Sequence, residues 1–152
     1  MQKRMYSVVD LLELTSSIID LPTEFFAEIH TRKYLHQGTV IKQIKGKPSS
    51  AKQRHFFLFT DVLVYCEERA LLVENADGTS RTHTTYQFKG LSYRQSTAID
   101  ESSATTTDNS SADFECFLNR KPYIITTPSV EDKKEWLRIL YSLYVALNRA
   151  PS

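Results

Sequence analysis

Four consecutive apolar side chains, Phe56-Phe57-Leu58-Phe59, lie between a basic stretch and a Thr60-Asp61 turn, and Val62-Leu63-Val64-Tyr65 follows. Turn residues between two short apolar runs rich in Val, Phe and Tyr predict a tight hairpin. Side chains alternate across a strand, so Phe56 and Leu58 share one face and Phe57 and Phe59 the other. A strand that is apolar on both faces needs cover on both. One face can point into a core. For the other, two readings stand: the N-terminal segment lies over it, or a bulge or strong twist buries both sets.

The rest of the chain reads in three parts. Val8, Val9, Leu11, Leu12, Ile18 and Ile19 recur at helical steps, and Leu21-Pro22 breaks the pattern. A short turn around Thr23–Ile29 follows, bringing Phe25, Phe26 and Ile29 together. From Tyr34 the period becomes two. Strands are expected near 35–44, 54–59, 62–67, 81–89, 91–97, 114–119 and 123–127, joined as hairpins; whether Leu71-Leu72-Val73 pairs with 81–85 stays open. The polar run from Asp100 to Ser111 holds nothing worth burying and reads as a mobile loop. Ser129 then caps a closing amphipathic helix, with Glu131 and Asp132 in its first turn and Trp136, Leu140, Leu143, Tyr144 and Leu147 as its stripe.

This order predicts a mainly β fold with flanking α: a seven-stranded, partly open antiparallel barrel capped by the C-terminal helix, preceded by an N-terminal helical segment. The expected division is residues 1–33 for that segment and 34–150 for the barrel domain.

Net charge is +1, but the distribution is uneven. Residues 29–60 hold seven of the nineteen Lys and Arg and no acid, which leaves twelve basic against eighteen acidic residues elsewhere. Such asymmetry points to an anionic partner met by one face. No cysteine or histidine spacing suggests a metal, and no nucleophile, base and orienter converge in sequence, so neither metal, cofactor nor catalysis is expected. Exposed aromatic platforms for base stacking are not evident, which argues against nucleic acid. Cys66 and Cys116 read as buried free thiols, a disulfide being unnecessary at this size. The Asn109-Ser110-Ser111 sequon has no signal peptide ahead of it, and no apolar run is long enough to span a bilayer. The expectation is a monomeric domain in the cytoplasm, recruited peripherally to membrane.

Three segments together resemble a pleckstrin-homology (PH) domain of the type that follows the catalytic helical (DH) module in Dbl-family Rho guanine nucleotide exchange factors. Gly38-Thr-Val-Ile-Lys42 resembles the first strand, Arg54 to Tyr65 the second and third, and Glu131-Asp-Lys-Lys-Glu-Trp136-Leu the closing helix. The likeness spans about residues 34–149, and the part before it resembles the last turns of the exchange module and its linker. The resemblance implies a non-catalytic module that binds anionic phospholipid or phosphoinositide and positions an exchange domain acting on a Rho-family GTPase. The alternative it implies is a protein-docking or autoinhibitory domain with little lipid binding. In PH domains that hold phosphoinositides, a lysine ends the first strand and a basic residue, any residue and an arginine follow the loop. Lys42, Lys52 and Arg54 fit that pattern, Lys45 and Lys47 sit at the loop tip, and Tyr65 matches a tyrosine whose hydroxyl can donate to phosphate. The second strand is one residue longer than in the tight lipid binders, which leaves open whether Arg54 and Tyr65 share a face.

Overall fold

The computed structural model describes residues 8–99 and 111–148. Helix α1 spans Val8–Thr15 and α2 Glu24–Ala27. The strands are β1 (Ile18–Ile19), β2 (Tyr34–Ile44), β3 (Lys52–Phe59), β4 (Val62–Glu74), β5 (Ser80–Tyr93), β6 (Ala98–Ile99), β7 (Asp113–Leu118) and β8 (Lys121–Thr126). Helix α3 closes the chain at Val130–Asn148. The strands form one sheet in the order β1-β5-β4-β3-β2-β8-β7-β6, antiparallel throughout except where β1 joins β5. The two ends of that order do not pair as strands, so the barrel is open there. Asn119 and Arg120 bridge the gap with backbone N–H groups donated to Ser92 Oγ (2.9 Å) and Ser96 O (3.0 Å).

Most expected strands are present, and the differences have local causes. The N-terminal helix stops at Thr15, well before Pro22. Thr15, Ser16 and Ser17 turn their hydroxyls back onto the carbonyls of Leu11, Glu13 and Leu14, which favours unwinding. Ile18 and Ile19 are therefore a strand, not helix; with Ala98–Ile99 also added and the two strands expected at 81–89 and 91–97 merged into one, the expected seven become eight. Gly90 does not divide two strands. β5 runs through it, with a register shift opposite Tyr65 and Cys66, and ends at Tyr93 in a 3₁₀ turn over Arg94–Ser96. Leu71, Leu72 and Val73 do pair with His83, Thr82 and Arg81, which carries β4 past its pairing with β3, and β5 past its pairing with β1, as a two-stranded ribbon. The expected loop at 100–110, the sequon asparagine and the side chains of Val8, Val9, Tyr144 and Leu147 lie outside the described residues.

Two cores share β3. Inside the barrel, Val40, Phe56, Leu58, Leu63, Phe114, Cys116, Leu118 and Ile125 meet Trp136 and Leu140 of α3. The helix starts where expected, with Ser129 Oγ accepting from Asp132 N at 3.1 Å. Trp136 packs directly over Gly38 of β2, where a Cβ would lie in contact with the indole, 3.4 Å from its nitrogen. The tryptophan thus plugs one end and leaves the other, with the β2–β3 and β7–β8 turns, open.

On the outer face, Phe57, Phe59, Val62, Val64 and Cys66 are covered by Leu11, Ile18 and Phe25 of the N-terminal segment. Of the two readings of the doubly apolar strand, cover by that segment is the one observed. The two cysteines are free, buried, and in different cores.

A buried cation fastens the cover. The Arg32 side chain is 1% exposed and donates to both Asp61 carboxylate oxygens, at 2.6 and 2.8 Å. It also donates to the Phe25 carbonyl, and its guanidinium stacks 4.3 Å from the Phe25 ring centroid. Lys33 and Thr60 add two backbone-anchored bonds beside it. His55 completes the outer face. A neutral ring can donate from Nε2 to Gln37 Oε1 (2.8 Å) while the Thr39 hydroxyl donates to Nδ1 (3.0 Å), and burial lowers its pKa to about 4.

Two outcomes follow. Phe25→Ala empties a site that is 1% exposed and removes the ring beneath Arg32, so it should cost about 3–5 kcal/mol in urea unfolding. Between pH 6.5 and about 5 the unfolded chain takes up a proton at His55 that the folded chain refuses. Stability should therefore fall on acidification by up to about 1.4 kcal/mol per pH unit, with a shallower fall in His55→Gln, read from thermal or urea midpoints.

Candidate functional site

The open end of the barrel holds the basic residues that the strands aim inward. On β2, Val40 and Lys42 share a face; on β3, Lys52, Arg54 and Phe56 share one. The register sets Val40 opposite Arg54 and Lys42 opposite Lys52. β4 adds Tyr65 opposite Phe56, so Arg54 and Tyr65 lie on the same face despite the longer strand. β8 adds Tyr123 opposite Ile44. Together with Ser49 and Ser50 of the intervening turn, Lys42, Ile44, Lys52, Arg54 and Tyr123 line an open concavity of about 310 Å³.

Its turn is built locally. Gly46 has φ +84°, a conformation that suits a residue without Cβ, and Pro48 starts a 3₁₀ turn over Pro48–Ser50. Ser50 Oγ accepts from Ile44 N at 2.8 Å and donates to Lys47 O at 2.6 Å, which ties the turn across its base.

The electrostatics of the concavity are cationic. Arg54 donates to the backbone carbonyl of Gln53. Among the described residues no carboxylate pairs with Lys42, Lys52 or Arg54. Glu67, the nearest acid of β4, is engaged with Lys89 (3.3 Å) and Arg69 (3.9 Å). Lys42 is the most enclosed of the three. Its Nζ lies 4.4 Å from the Tyr65 ring centroid and 4.3 Å from that of Tyr123. Burial, then repulsion by Arg54 and Lys52, pulls its pKa down to about 8, while the two ring faces favour the charged form.

The other expected site residues are placed differently. Lys45 points to the opposite side of the sheet and holds Glu115 of β7 through both carboxylate oxygens, at 2.9 and 3.0 Å. Lys47 is exposed on the turn and does not line the concavity. Tyr65 contributes its ring to Lys42, but its hydroxyl is turned toward Gly90 and the Asn119 side chain. Burial, with Tyr123 nearby, pushes that phenol up, against opposing pulls from Asn119 and Arg54. The basic window of 29–60 is accordingly not one face: Arg32 is consumed by Asp61 and Lys45 by Glu115. Sequence reasoning missed Tyr123. Its position just after the β7–β8 turn, on the face of buried Ile125, was the available signal.

The model for SOS1/NGEF-like PH domains matches residues 30–143. This chain belongs to that family. Among solved structures, this PH domain is similar to autoinhibited Vav1, with a TM-score of 0.62 and 16% identity over 91% of this chain and 22% of that one. The DH/PH domains of PDZ-RhoGEF, in a complex with GTP-γ-S-activated RhoA, give 0.58 and 16%, covering 92% and 40%. The linker-DH/PH domains of p115-RhoGEF give 0.56 and 14%, covering 95% and 41%. At such identities the likeness is one of fold, and the chain spans from about a fifth to two fifths of those structures. A search of curated protein sequences finds no match.

The mouth of this PH domain depends on one glycine. A Cβ at Gly90 would overlap the phenol of Tyr65. Gly90→Ala should therefore displace that ring from Lys42 and destabilise the fold by about 1–3 kcal/mol, read from urea unfolding together with changed NMR shifts of the Tyr65 ring.

Proposed function

We propose that this chain is the non-catalytic PH module of a Rho guanine nucleotide exchange factor, and that it captures phosphate groups of anionic phospholipids or phosphoinositides at the open end of the barrel. The carrying observation is the convergence of Lys42, Lys52 and Arg54 on one concavity with no carboxylate among the described residues paired to any of them. Three cations held without a counter-charge repel one another, and a phosphate ester relieves that repulsion. Arg54 can grip two phosphate oxygens at once, whereas the lysines act as movable point charges. In this reading the domain is cytoplasmic and peripheral to membrane, and the GTPase is reached through the intact exchange factor. The likeness to DH/PH structures, one of them bound to RhoA, supports that context.

A protein-docking role has its own support. The N-terminal segment is joined to β3 and β4 by a full apolar core and by the buried Arg32–Asp61 pair. If that segment continues an exchange domain, as residues 1–33 are proposed to do, the junction is rigid and the PH domain sets the orientation of its neighbour.

Co-sedimentation with vesicles decides between emphases. We expect capture by phosphoinositide-containing vesicles at moderate and raised salt. Replacing Lys42, Lys52 and Arg54 together by Ala should weaken it roughly a hundredfold, at about 1 kcal/mol per cation. Lys47→Ala should cost little at raised salt, because its exposed charge is screened. Equal retention of the triple variant would leave the domain a docking element alone.

A further inference from the structure

Lys42 differs from its two basic neighbours in being held between rings. Its ammonium lies 4.3 and 4.4 Å from two tyrosine centroids, on β8 and β4, and only partly meets solvent. The charged and titratable groups facing it are Lys52 and Arg54 from β3, Tyr65 from β4 and Tyr123 from β8. The Pro48–Ser50 turn contributes only serines. Lys45 and its Glu115 partner are on the far side of the sheet. Every fully charged neighbour among the described residues is therefore positive, and the amine is enclosed by ring faces. The phenol rings offer their π faces but no full negative charge.

An arrangement of this kind has a thermodynamic consequence. With the mouth empty, the enclosed amine is the easiest of the three cations to discharge, since losing one proton there relieves both desolvation and repulsion. With a phosphate in the mouth, the same amine gains an anion and is held charged. We propose that anion capture at this mouth is coupled to proton uptake at Lys42, which makes Lys42 the residue that ties affinity to pH, with Tyr65 and Tyr123 as its positioning residues. This rests on the phosphate-binding reading above and adds to it which amine titrates and in which direction. The lowered pKa of about 8 puts the window just above neutrality. By linkage, affinity is full below that window and falls as pH rises through it.

The test is calorimetric titration of the chain with phosphatidylcholine vesicles containing phosphatidylinositol 4,5-bisphosphate, between pH 7 and 9, in two buffers of different ionisation enthalpy. The wild-type chain should bind about tenfold more weakly at pH 9 than at pH 7 and take up a fraction of a proton near pH 8. Lys42→Arg keeps a charge that does not titrate, so its affinity should stay level or rise with pH as the phosphates complete their own ionisation. Tyr123→Phe keeps the ring face and should keep the wild-type profile. Tyr123→Ser opens the enclosure and should move the fall to higher pH. Superimposable profiles for wild type and Lys42→Arg, with binding intact at pH 7, would overturn the coupling alone. Absence of binding to these vesicles at pH 7 in both would overturn the phosphate-binding reading and the coupling with it.

Discussion

A strand with apolar side chains on both faces cannot be an outer wall, and β3 imposes that constraint on the whole molecule. Phe56 and Leu58 are satisfied by rolling the sheet into a barrel and plugging it with Trp136. Phe57 and Phe59 are satisfied only by bringing a second layer from outside, which the N-terminal segment supplies. Full burial of a Phe or Leu contributes roughly 1.5–3 kcal/mol, so leaving either pair of side chains in water would forfeit several kcal/mol. Even the buried Arg32 follows from this layer. Its charge is tolerable because Asp61, the Phe25 carbonyl and the Phe25 ring meet it together. Removing the Asp61 carboxylate would strand a cation in an apolar layer.

The same roll of the sheet decides what the open end can do. Plugging one end with α3 leaves the inward-facing residues at the other end without a hydrophobic partner. Alternation along β2 and β3 makes those residues Lys42, Lys52 and Arg54. Their convergence is a product of register: a slip of β3 by one residue would turn Lys52 and Arg54 outward and leave Lys42 alone in the mouth. Outward cations behave differently. Lys45, one strand position beyond Ile44, finds Glu115 and is neutralised.

Much of this was legible from the chain. The hairpin around Thr60-Asp61, the change of period at Tyr34, the Ser129 cap and the Trp136 stripe are local signals, and local physics decides them. The double apolar face of β3 left a covering segment and a bulge or twist as alternatives, and the segment is the one found. What could not be read lay in pairings between distant residues. Ile18 and Ile19 fit a helical stripe until the hydroxyls of Thr15, Ser16 and Ser17 end the helix and the edge of β5 offers Tyr86 and Gln87 as partners. Gly90 looked like a break between strands; its role is to admit the Tyr65 ring. At the mouth, the pattern of basic residues placed Lys42, Lys52 and Arg54 together but could not say that Lys45 had found an acid seventy residues away. Nor could it reveal that Tyr65 acts through its ring while its hydroxyl faces elsewhere.

Beyond Glu68 the sheet thins to β4 and β5 alone, with Leu71 and Leu72 53% and 76% exposed. The ladder bonds of this ribbon have solvent on both sides, and neither apolar core reaches it. It can therefore fray from the Asn75–Thr79 turn inward while the barrel stays closed, exchanging its amides on a shorter clock than the strands it extends. A protease sampling the folded domain would meet its first accessible backbone there, at Arg69 or Arg81, and the cut would leave both cores and the mouth assembled.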